Sequence, residues 1–220
     1  MTREADIQRM LADIRAHSDQ SALMTGREVL DPRVLSALSQ VPRDLFVPAH
    51  LQSRAWSDGP LPIGDGQTIS QPFIVALMTD LVRPVPDARI LEIGTGCGYQ
   101  SAVLASLVAR VYTIEIVPRL ARQADERLRD LGYTNFESRV GDGYHGWPEA
   151  APFNGILVTA AAEQIPVPLI EQLAPGARMV IPVGGHLFGQ ELMVVGKDPD
   201  GMVHRRSVLP VAFVPLTGEH

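Results

Sequence analysis

One short segment constrains the fold of this 220-residue chain more than any other: an apolar strand that runs directly into a cluster of glycines. The segment, residues 91–100, has the sequence LEIGTGCGYQ. Glycines at a turn between a strand and a helix let the backbone approach a ligand closely, and ligands of open α/β sheets bind beyond the carboxyl ends of the strands. We therefore expect an α/β protein with a ligand site at this turn.

The spacing of the glycines excludes the two common phosphate-binding loops. A dinucleotide-binding loop requires G-x-G-x-x-G/A, and counting from Gly94 the last position falls on Tyr99. A P-loop requires a Gly-Lys-Ser/Thr string, which does not follow here. The pattern is instead G-x-G-x-G, with Gly96 and Gly98 as its second and third glycines.

Three carboxylates indicate the chemistry of the ligand. Glu92, beside the loop, would repel a pyrophosphate and suits an ammonium or sulfonium group, while Glu115, at the end of the next strand, can accept both hydroxyls of a ribose. Asp142, in a Gly-Asp-Gly turn, can accept from an adenine amino group, although on its own it is equally well explained as an ordinary turn residue. Together these features predict S-adenosylmethionine as the cofactor.

The sequence around the loop alternates between strands and helices. Strands are predicted over residues 88–93, 111–116, 136–140 and 155–159, and helices from Pro72 to before Pro84, over 102–108, and from Pro118 to Gly132. Further strands are predicted over 178–183, 191–195 and 208–214, with a turn at 198–201. This order predicts a mostly parallel twisted sheet with helices on both faces, an antiparallel C-terminal edge and an N-terminal helical extension. Together with the predicted cofactor, it indicates a Rossmann-like class I methyltransferase fold.

We expect one methyltransferase domain with three parts. Residues 1–71 hold N-terminal helices and a substrate and cofactor loop, residues 72–175 the cofactor-binding core, and residues 176–220 the C-terminal strands. In the first part, apolar residues at helical spacing mark two helices, the second starting at Asp31-Pro32; they are Ile7, Met10, Leu11 and Ile14, then Val34, Leu35 and Leu38. Residues 41–71 form either a binding loop or lid, or a surface segment anchored by Phe46, Leu51 and Trp56.

Composition limits the compartment and the partners. The chain has 19 Lys+Arg against 25 Asp+Glu, a net charge of −6, which argues against a broad nucleic-acid surface. It has one cysteine, no apolar stretch near the ~20 residues that span a bilayer, and no signal-peptide pattern at its N-terminus. We expect a cytoplasmic protein with no membrane or nucleic-acid partner; the oligomeric state stays open, with a monomer favoured. No metal site is expected, because the six histidines are scattered: His17, His50, His145, His186, His204 and His220.

From about Val41 to Thr217 the chain resembles the protein-L-isoaspartate (D-aspartate) O-methyltransferases. Besides the glycine loop, the motifs that carry the resemblance are V-P-R at 41–43, F-V-P at 46–48, G-Q-T-I-S-Q-P at 66–72, G-D-G at 141–143, V-T-A-A at 158–161, I-P-V-G at 181–184 and F-V-P-L at 213–216. The G-Q-T-I-S-Q-P string is the most specific, because other methyltransferases share the glycine loop without it.

The resemblance implies a repair enzyme. In the family, the methyl group of S-adenosylmethionine passes to the α-carboxylate of an isoaspartyl residue in a protein or peptide, leaving S-adenosyl-L-homocysteine, and the ester collapses to a succinimide. Ser70 corresponds to the catalytic serine of the family. The implied cofactor-binding residues are Thr68, Ile69, Glu92, Gly94, Gly96, Gly98, Glu115, Asp142 and Gly143. The implied substrate pocket is formed by Ser70, Thr159, Val183 and Val214, with the segment to Thr217.

Several alternatives stay open. By position alone Ser70 is a cap for the helix that begins at Pro72. Cys97, where many relatives have Ser, is expected to be a small loop residue, since carboxyl methylation needs no covalent intermediate. Asn154 replaces the usual Asp, and the 145–147 segment either flanks the adenine or forms a packed loop. The competing functions are a class I methyltransferase acting on tRNA or a small molecule, and a non-catalytic cofactor-binding adaptor.

Overall fold

The computed structural model describes residues 2–185 and 189–219. The helices are α1 (Arg3–Thr25), α2 (Pro32–Gln40), α3 (Pro72–Val82), α4 (Tyr99–Ala105), α5 (Pro118–Asp130) and α6 (Val167–Glu171). The strands are β1 (Leu61–Gly64), β2 (Gln67–Ile69), β3 (Arg89–Ile93), β4 (Arg110–Glu115), β5 (Phe136–Val140), β6 (Phe153–Val158), β7 (Leu173–Gly185), β8 (Gly189–Lys197) and β9 (Val203–Val211).

The seven strands β3 to β9 form one sheet in the order β5-β4-β3-β6-β7-β8-β9, and β1 and β2 form a separate two-stranded sheet. The strands from β5 to β7 are parallel, whereas β8 and β9 add an antiparallel edge. The chain leaves β3 towards β4 on one side and later returns to pair β6 on the other side, so the order reverses at β3. Such a reversal opens a crevice at the carboxyl ends of the strands, where ligands of these sheets bind. The predicted Rossmann-like architecture is confirmed.

Both faces of the sheet are buried, as parallel strands require. Leu157 and Val180 pack with α1 to α5 on one face, while their neighbours Ile156 and Met179 pack with Leu169 of α6 on the other. Because successive side chains of a strand point to opposite faces, the continuous apolar runs of β6 and β7 supply both cores at once.

The N-terminal predictions hold, and the structure explains why. Ile7, Met10 and Ile14 of α1 are buried, and Asp31 caps α2 by accepting from the backbone N–H of Arg33 at 2.8 Å. The 41–71 connection contains two 3₁₀ turns (Arg43–Phe46 and Ala49–Arg54) and the hairpin β1–β2, none of which periodicity predicts. Its anchors Phe46, Leu51 and Trp56 are buried.

The predicted starts of three elements were wrong by at least three residues: β7 begins at Leu173 and not at 178, and the other two have local causes. The helix predicted over 102–108 is α4, which begins at Tyr99 because Gly98, at φ 88°, turns the chain directly into it. The strand predicted over 208–214 is β9, which starts earlier because the turn at 198–201 pairs Lys197 with Val203. In addition, α6 carried no clear signal. No helix within residues 2–185 and 189–219 has the length and apolar character needed to cross a membrane.

Candidate functional site

A cavity lies at the carboxyl ends of β3, β4 and β6, where the sheet order reverses. Its walls come from four segments: residues 67–70 after β1, residues 93–97 at the end of β3, residues 114–117 at the end of β4, and residues 214–217 near the C-terminus. We call it the glycine-loop cavity. Gly143 and Thr159, which follow β5 and β6, also line it, as do Val75 of α3, Tyr99 and Gln100 of α4, and Ala160.

The glycines at 94 and 143 make room for close approach. Gly94 has φ 93°, and a Cβ there would lie 2.5 Å from Thr159 Oγ1. A Cβ on Gly143 would overlap the side chain of Ile93. Any side chain at these positions would displace the cavity floor, so the loop can present backbone to a ligand only with glycine. Gly98 differs, because it faces away from the cavity towards Ala124 and Leu128 of α5.

Glu115 is held rigidly at the rim. Its Oε2 accepts from the backbone N–H of Gly96 at 2.8 Å, and its Oε1 accepts from the N–H of Val117 at 2.9 Å. A carboxylate oxygen has two lone pairs, so each oxygen can still accept a further bond from a ligand hydroxyl. The glycine loop and the end of β4 are thereby locked together around one acceptor.

Glu92 lies beneath the glycine loop and is not among the residues that line the cavity. It is 0% exposed; its Oε2 accepts from Ser101 Oγ and from Thr113 Oγ1, the latter at 2.8 Å, and its Oε1 has no hydrogen-bond partner among the described residues. Burial, opposed by these two bonds and reinforced by the charge of Glu115, raises the pKa of Glu92 to about 8. Near neutral pH this carboxyl is therefore largely protonated, unlike the fixed negative charge that the sequence suggests.

Asp142 is covered by the C-terminal segment. Its Oδ1 accepts from the N–H of Tyr144 at 2.9 Å, and its Oδ2 accepts from the N–H of Glu219 at 3.1 Å. The same segment is fastened over the cavity by a bond from the N–H of Ala161 to Val214 O at 2.8 Å and one from the N–H of Leu216 to Ala161 O at 2.7 Å. Asp142 thus holds the C-terminal segment at the edge of the cavity without lining it, whereas Gly143 is one of the lining residues.

A second depression, which we call the β9 groove, adjoins the cavity. It is lined by His17 of α1, Phe73 and Ile74 of α3, and residues 209–214 after and within β9. The two spaces share four residues: Thr68, Ser70, Thr159 and Val214. Ser70 and Thr159 thus both lie where the two spaces meet. Val183, which bridges to Ala162, lines neither space as described.

Ser70 does not cap α3, because that role belongs to a residue that sequence reasoning missed. Asp58 Oδ1 accepts from the N–H of Phe73 at 2.8 Å, and its Oδ2 accepts from Gln71 Nε2 at 3.0 Å. His17 Nδ1 lies 2.6 Å from the same Oδ2. Asp58 precedes α3 by too many residues to match a capping pattern, so no local signal identifies it.

Arg43 is the second residue whose role was missed, although its V-P-R motif was noted. Its side chain is 0% exposed. Nη2 donates to Ser70 O at 2.7 Å, Nε donates to Ala55 O at 2.8 Å, and the guanidinium lies 4.7 Å from the ring centroid of Tyr99. A buried cation that bonds backbone carbonyls from separate turns fixes the backbone of Ser70 relative to α4.

The remaining sequence candidates have structural explanations. Cys97 is buried, and burial raises the pKa of its thiol, which makes it a poor nucleophile. The 145–147 segment is a packed loop, since the Gln172 side chain donates to His145 O at 2.8 Å and accepts from the N–H of Trp147 at 2.6 Å. Asn154 Oδ1 accepts from the N–H of Arg89 at 2.9 Å, away from the cavity.

Among residues 2–185 and 189–219, no group of three or more His, Cys, Asp or Glu side chains is arranged to hold a metal ion. Two of the histidines noted in the sequence, His186 and His220, lie outside the described residues.

Comparisons with known proteins agree with this geometry. The family model described as protein-L-isoaspartate(D-aspartate) O-methyltransferase matches residues 20–220. The chain is 55% identical over 212 residues to protein-L-isoaspartate O-methyltransferase 2 of Syntrophobacter fumaroxidans, covering 96% of this chain and 86% of that protein. It is 57% identical over 210 residues to the protein of the same name from Polaromonas sp., covering 96% and 100%.

Solved structures show the same fold. A protein-L-isoaspartate O-methyltransferase superposes with a TM-score of 0.83 at 25% identity, covering 96% of this chain and 66% of that one. A Plasmodium falciparum protein in complex with S-adenosyl-L-homocysteine superposes with a TM-score of 0.75 at 22% identity, covering 93% and 97%.

Proposed function

The chain belongs to the protein-L-isoaspartate (D-aspartate) O-methyltransferase family, and from that premise we propose how its residues carry out the reaction. The enzyme methylates the α-carboxylate of L-isoaspartyl residues in damaged proteins and peptides with S-adenosylmethionine, and so initiates repair through a succinimide. What remains to be assigned is the part that each side chain plays.

The residues at the glycine-loop cavity fit this cofactor. The side-chain-free loop at Gly94 and Gly96 admits close backbone contact, and the fixed Glu115 carboxylate suits ribose hydroxyls. When bound, the cofactor supplies a sulfonium methyl group that is electrophilic and leaves a neutral thioether. Thr68, Ile69 and Gly143, which also line the cavity, would make further contacts with the bound cofactor.

One observation carries the proposal: the cavity and the β9 groove share Ser70 and Thr159. A methyl donor in one space and a peptide carboxylate in the other would meet at these hydroxyls. Thr159 Oγ1 is already occupied, because it donates to Gly94 O at 2.7 Å and lies 3.0 Å from Ile93 O. The Ser70 hydroxyl has no hydrogen bond to another described residue in the structure, so we assign it as the group that orients the carboxylate.

No general base is needed for this transfer. The α-carboxylate is already ionised at neutral pH, with a reference pKa of about 3.5, and is already the nucleophile. The chain therefore contributes position and exclusion of water. Ser70 donates to the oxygen that does not attack, Arg43 fixes the Ser70 backbone, and residues 214–217 cover the reacting groups.

The test is a methyl-transfer assay with matched isoaspartyl and aspartyl peptides. We expect a base-labile ester from the isoaspartyl peptide alone; equal methylation of both peptides would contradict the proposal. Ser70→Ala should lower kcat by about 10- to 100-fold and leave the affinity for S-adenosyl-L-homocysteine within about twofold, since one positioning hydrogen bond is lost. The exposed Ser53→Ala is the matched control. Full turnover by Ser70→Ala would remove the role assigned to Ser70.

We further propose that residues 1–220 act as one catalytic domain, in the cytoplasm, as a monomer, and without nucleic acid. The lone Cys97 and the net charge of −6 support the compartment and the absence of a nucleic-acid partner. Light scattering on the purified chain tests the oligomeric state, and a dimer mass would contradict it.

A further inference from the structure

A third cavity lies at the opposite end of the sheet from the active site. Arg178 enters it from β7, where it pairs with Gly155 near the amino end of β6, and Arg206 enters it from β9. Arg83 enters from the residue that ends α3. We call this space the Arg178 cavity. The glycine loop follows the carboxyl end of β3, so the two sites do not overlap.

The strand register explains why the cations converge. Arg178 lies opposite Gly196 of β8, and Arg206 lies opposite Val194 on that strand. These positions point to the same face of the sheet, where β8 presents Val194 opposite Arg206 and no side chain opposite Arg178. The result is an open space with cations on two sides.

The guanidinium groups of these three arginines form no hydrogen bond, ion pair or ring contact with another residue among 2–185 and 189–219, and the side chains of Arg83 and Arg206 are exposed. By contrast, the neighbouring Arg27 forms an ion pair with Asp80 at 2.5 Å, and Arg33 pairs with Asp31 at 2.6 Å. In a chain of net charge −6, unpaired guanidinium groups gathered in one cavity are not explained by a general excess of cations.

The acidic groups around the cavity do not neutralise these arginines. Asp198, the one carboxylate in the described lining, lies 2.8 Å from His204 Nε2. Lys197 adds a cation, although its Nζ donates to Leu173 O at 2.9 Å. Burial, together with the charges of Arg83 and Arg206, lowers the pKa of Arg178, as expected where like charges lack a counter-ion.

Arg83 reaches this space from the end of α3. It is the C-cap of that helix, in the left-handed region at φ 57°, and its backbone N–H donates to Asp80 O at 3.1 Å. The helix end therefore accounts for the backbone conformation and fixes the point from which the arginine side chain starts.

We propose that the Arg178 cavity binds a small oligophosphate anion through Arg83, Arg178 and Arg206. Guanidinium groups present planar forks of donors that match phosphate oxygens, and a chain of phosphates offers oxygens in the several directions from which these side chains come. The ligand is either inorganic polyphosphate or the phosphate chain of a nucleotide, and both present the same groups to the cavity.

The test is titration calorimetry of the full chain with inorganic tripolyphosphate, with S-adenosyl-L-homocysteine added in excess so that the active site is filled. We expect one site whose affinity falls as salt is raised. Arg178→Gln and Arg206→Gln should each weaken binding at least about tenfold, because each removes a charge-assisted contact, while isoaspartyl methylation stays unchanged. Arg122→Gln removes the same charge from an exposed position on α5 and should bind like the wild type.

Titrations with other anions identify the class of ligand. ATP binding more tightly than tripolyphosphate would identify a nucleotide as the source, and equal binding would show that the phosphate chain alone is recognised; both support the site. Absence of tripolyphosphate binding, or equal weakening by Arg122→Gln, would overturn it. Citrate binding as tightly as tripolyphosphate, or a short RNA outcompeting it, would overturn the oligophosphate assignment.

Discussion

The two walls of the active site are built in different ways. On the cofactor wall, neighbouring segments that leave adjacent strands hold each other: Glu115 accepts from the backbone of Gly96 and Val117. On the substrate wall, Ser70 is held by Arg43, which lies 27 residues earlier, and the helix after it is capped by Asp58. The sheet fixes the cofactor wall, whereas two buried polar side chains, Arg43 and Asp58, hold the substrate wall in place.

This difference predicts that cofactor binding and peptide methylation can be separated by mutation. Changes on the substrate wall should lower turnover and stability with little effect on cofactor affinity. Changes on the cofactor wall should lower the affinity for the cofactor, with little effect on stability or on turnover at saturating cofactor. Four variants follow, from the largest expected effect to the smallest: three test this separation, and Glu92→Gln tests the buried carboxyl beneath the cofactor wall.

Arg43→Ala should have the largest effect. It opens a cavity under the substrate wall and leaves Ala55 O and Ser70 O without their donor, which should lower the free energy of unfolding by about 3–5 kcal/mol. Urea denaturation measures the loss, and the exposed Arg54→Ala is the control in the same segment. Binding of S-adenosyl-L-homocysteine below the unfolding transition should stay within a few-fold of wild type. Equal loss of stability in both variants would contradict the role of Arg43.

Glu115→Ala should affect the cofactor wall. It removes the acceptor of two backbone N–H groups and the predicted acceptor of the ribose, so the affinity for S-adenosyl-L-homocysteine should fall by about 100-fold or more. Calorimetric titration checks this, with the exposed Glu126→Ala as the matched control. An unchanged affinity would show that the carboxylate serves only the loop.

Glu92→Gln should change how stability depends on pH. The folded-state pKa of about 8 lies above the reference value of 4.5, so the folded protein holds this proton more tightly than the unfolded chain. The resulting stability is fully present below pH 4.5 and is lost as pH rises through about 8. Glutamine, which stays neutral, should remove this slope, a difference on the order of 2 kcal/mol over the neutral range. Denaturation curves of both proteins across that range should therefore diverge, and parallel curves would contradict the raised pKa.

Asp58→Ala should have the smallest effect. It removes the cap of α3 and the partner of His17, which should lower the free energy of unfolding by about 1–2 kcal/mol and raise KM for the peptide without changing cofactor affinity. Asp19→Ala, an exposed change on α1, controls for the charge. If KM stays constant while stability falls, Asp58 is a helix cap alone, and the substrate wall does not depend on it.

Much of the cofactor wall was predictable because its requirements are local. A glycine that must adopt a positive φ, an acidic residue at the end of a strand, and alternation of strands and helices are all expressed in contiguous residues, so spacing predicts Gly94, Gly96 and Glu115, and all three line the cavity. The substrate wall was predictable only in part. The G-Q-T-I-S-Q-P motif points to Ser70, which also lines the cavity, but no motif points to Asp58, because its partners are distant in sequence.

The sequence by itself determined the sheet, the glycine loop and the chemistry of the cofactor, since each depends on the backbone geometry that neighbouring residues impose. Only the tertiary structure decided the burial of Glu92, the covering of Asp142 by the C-terminal segment and the convergence of Arg83, Arg178 and Arg206. The physical reason is that the electrostatic environment of a side chain depends on solvent exclusion and on charges from remote segments. Those become neighbours only when the sheet is assembled.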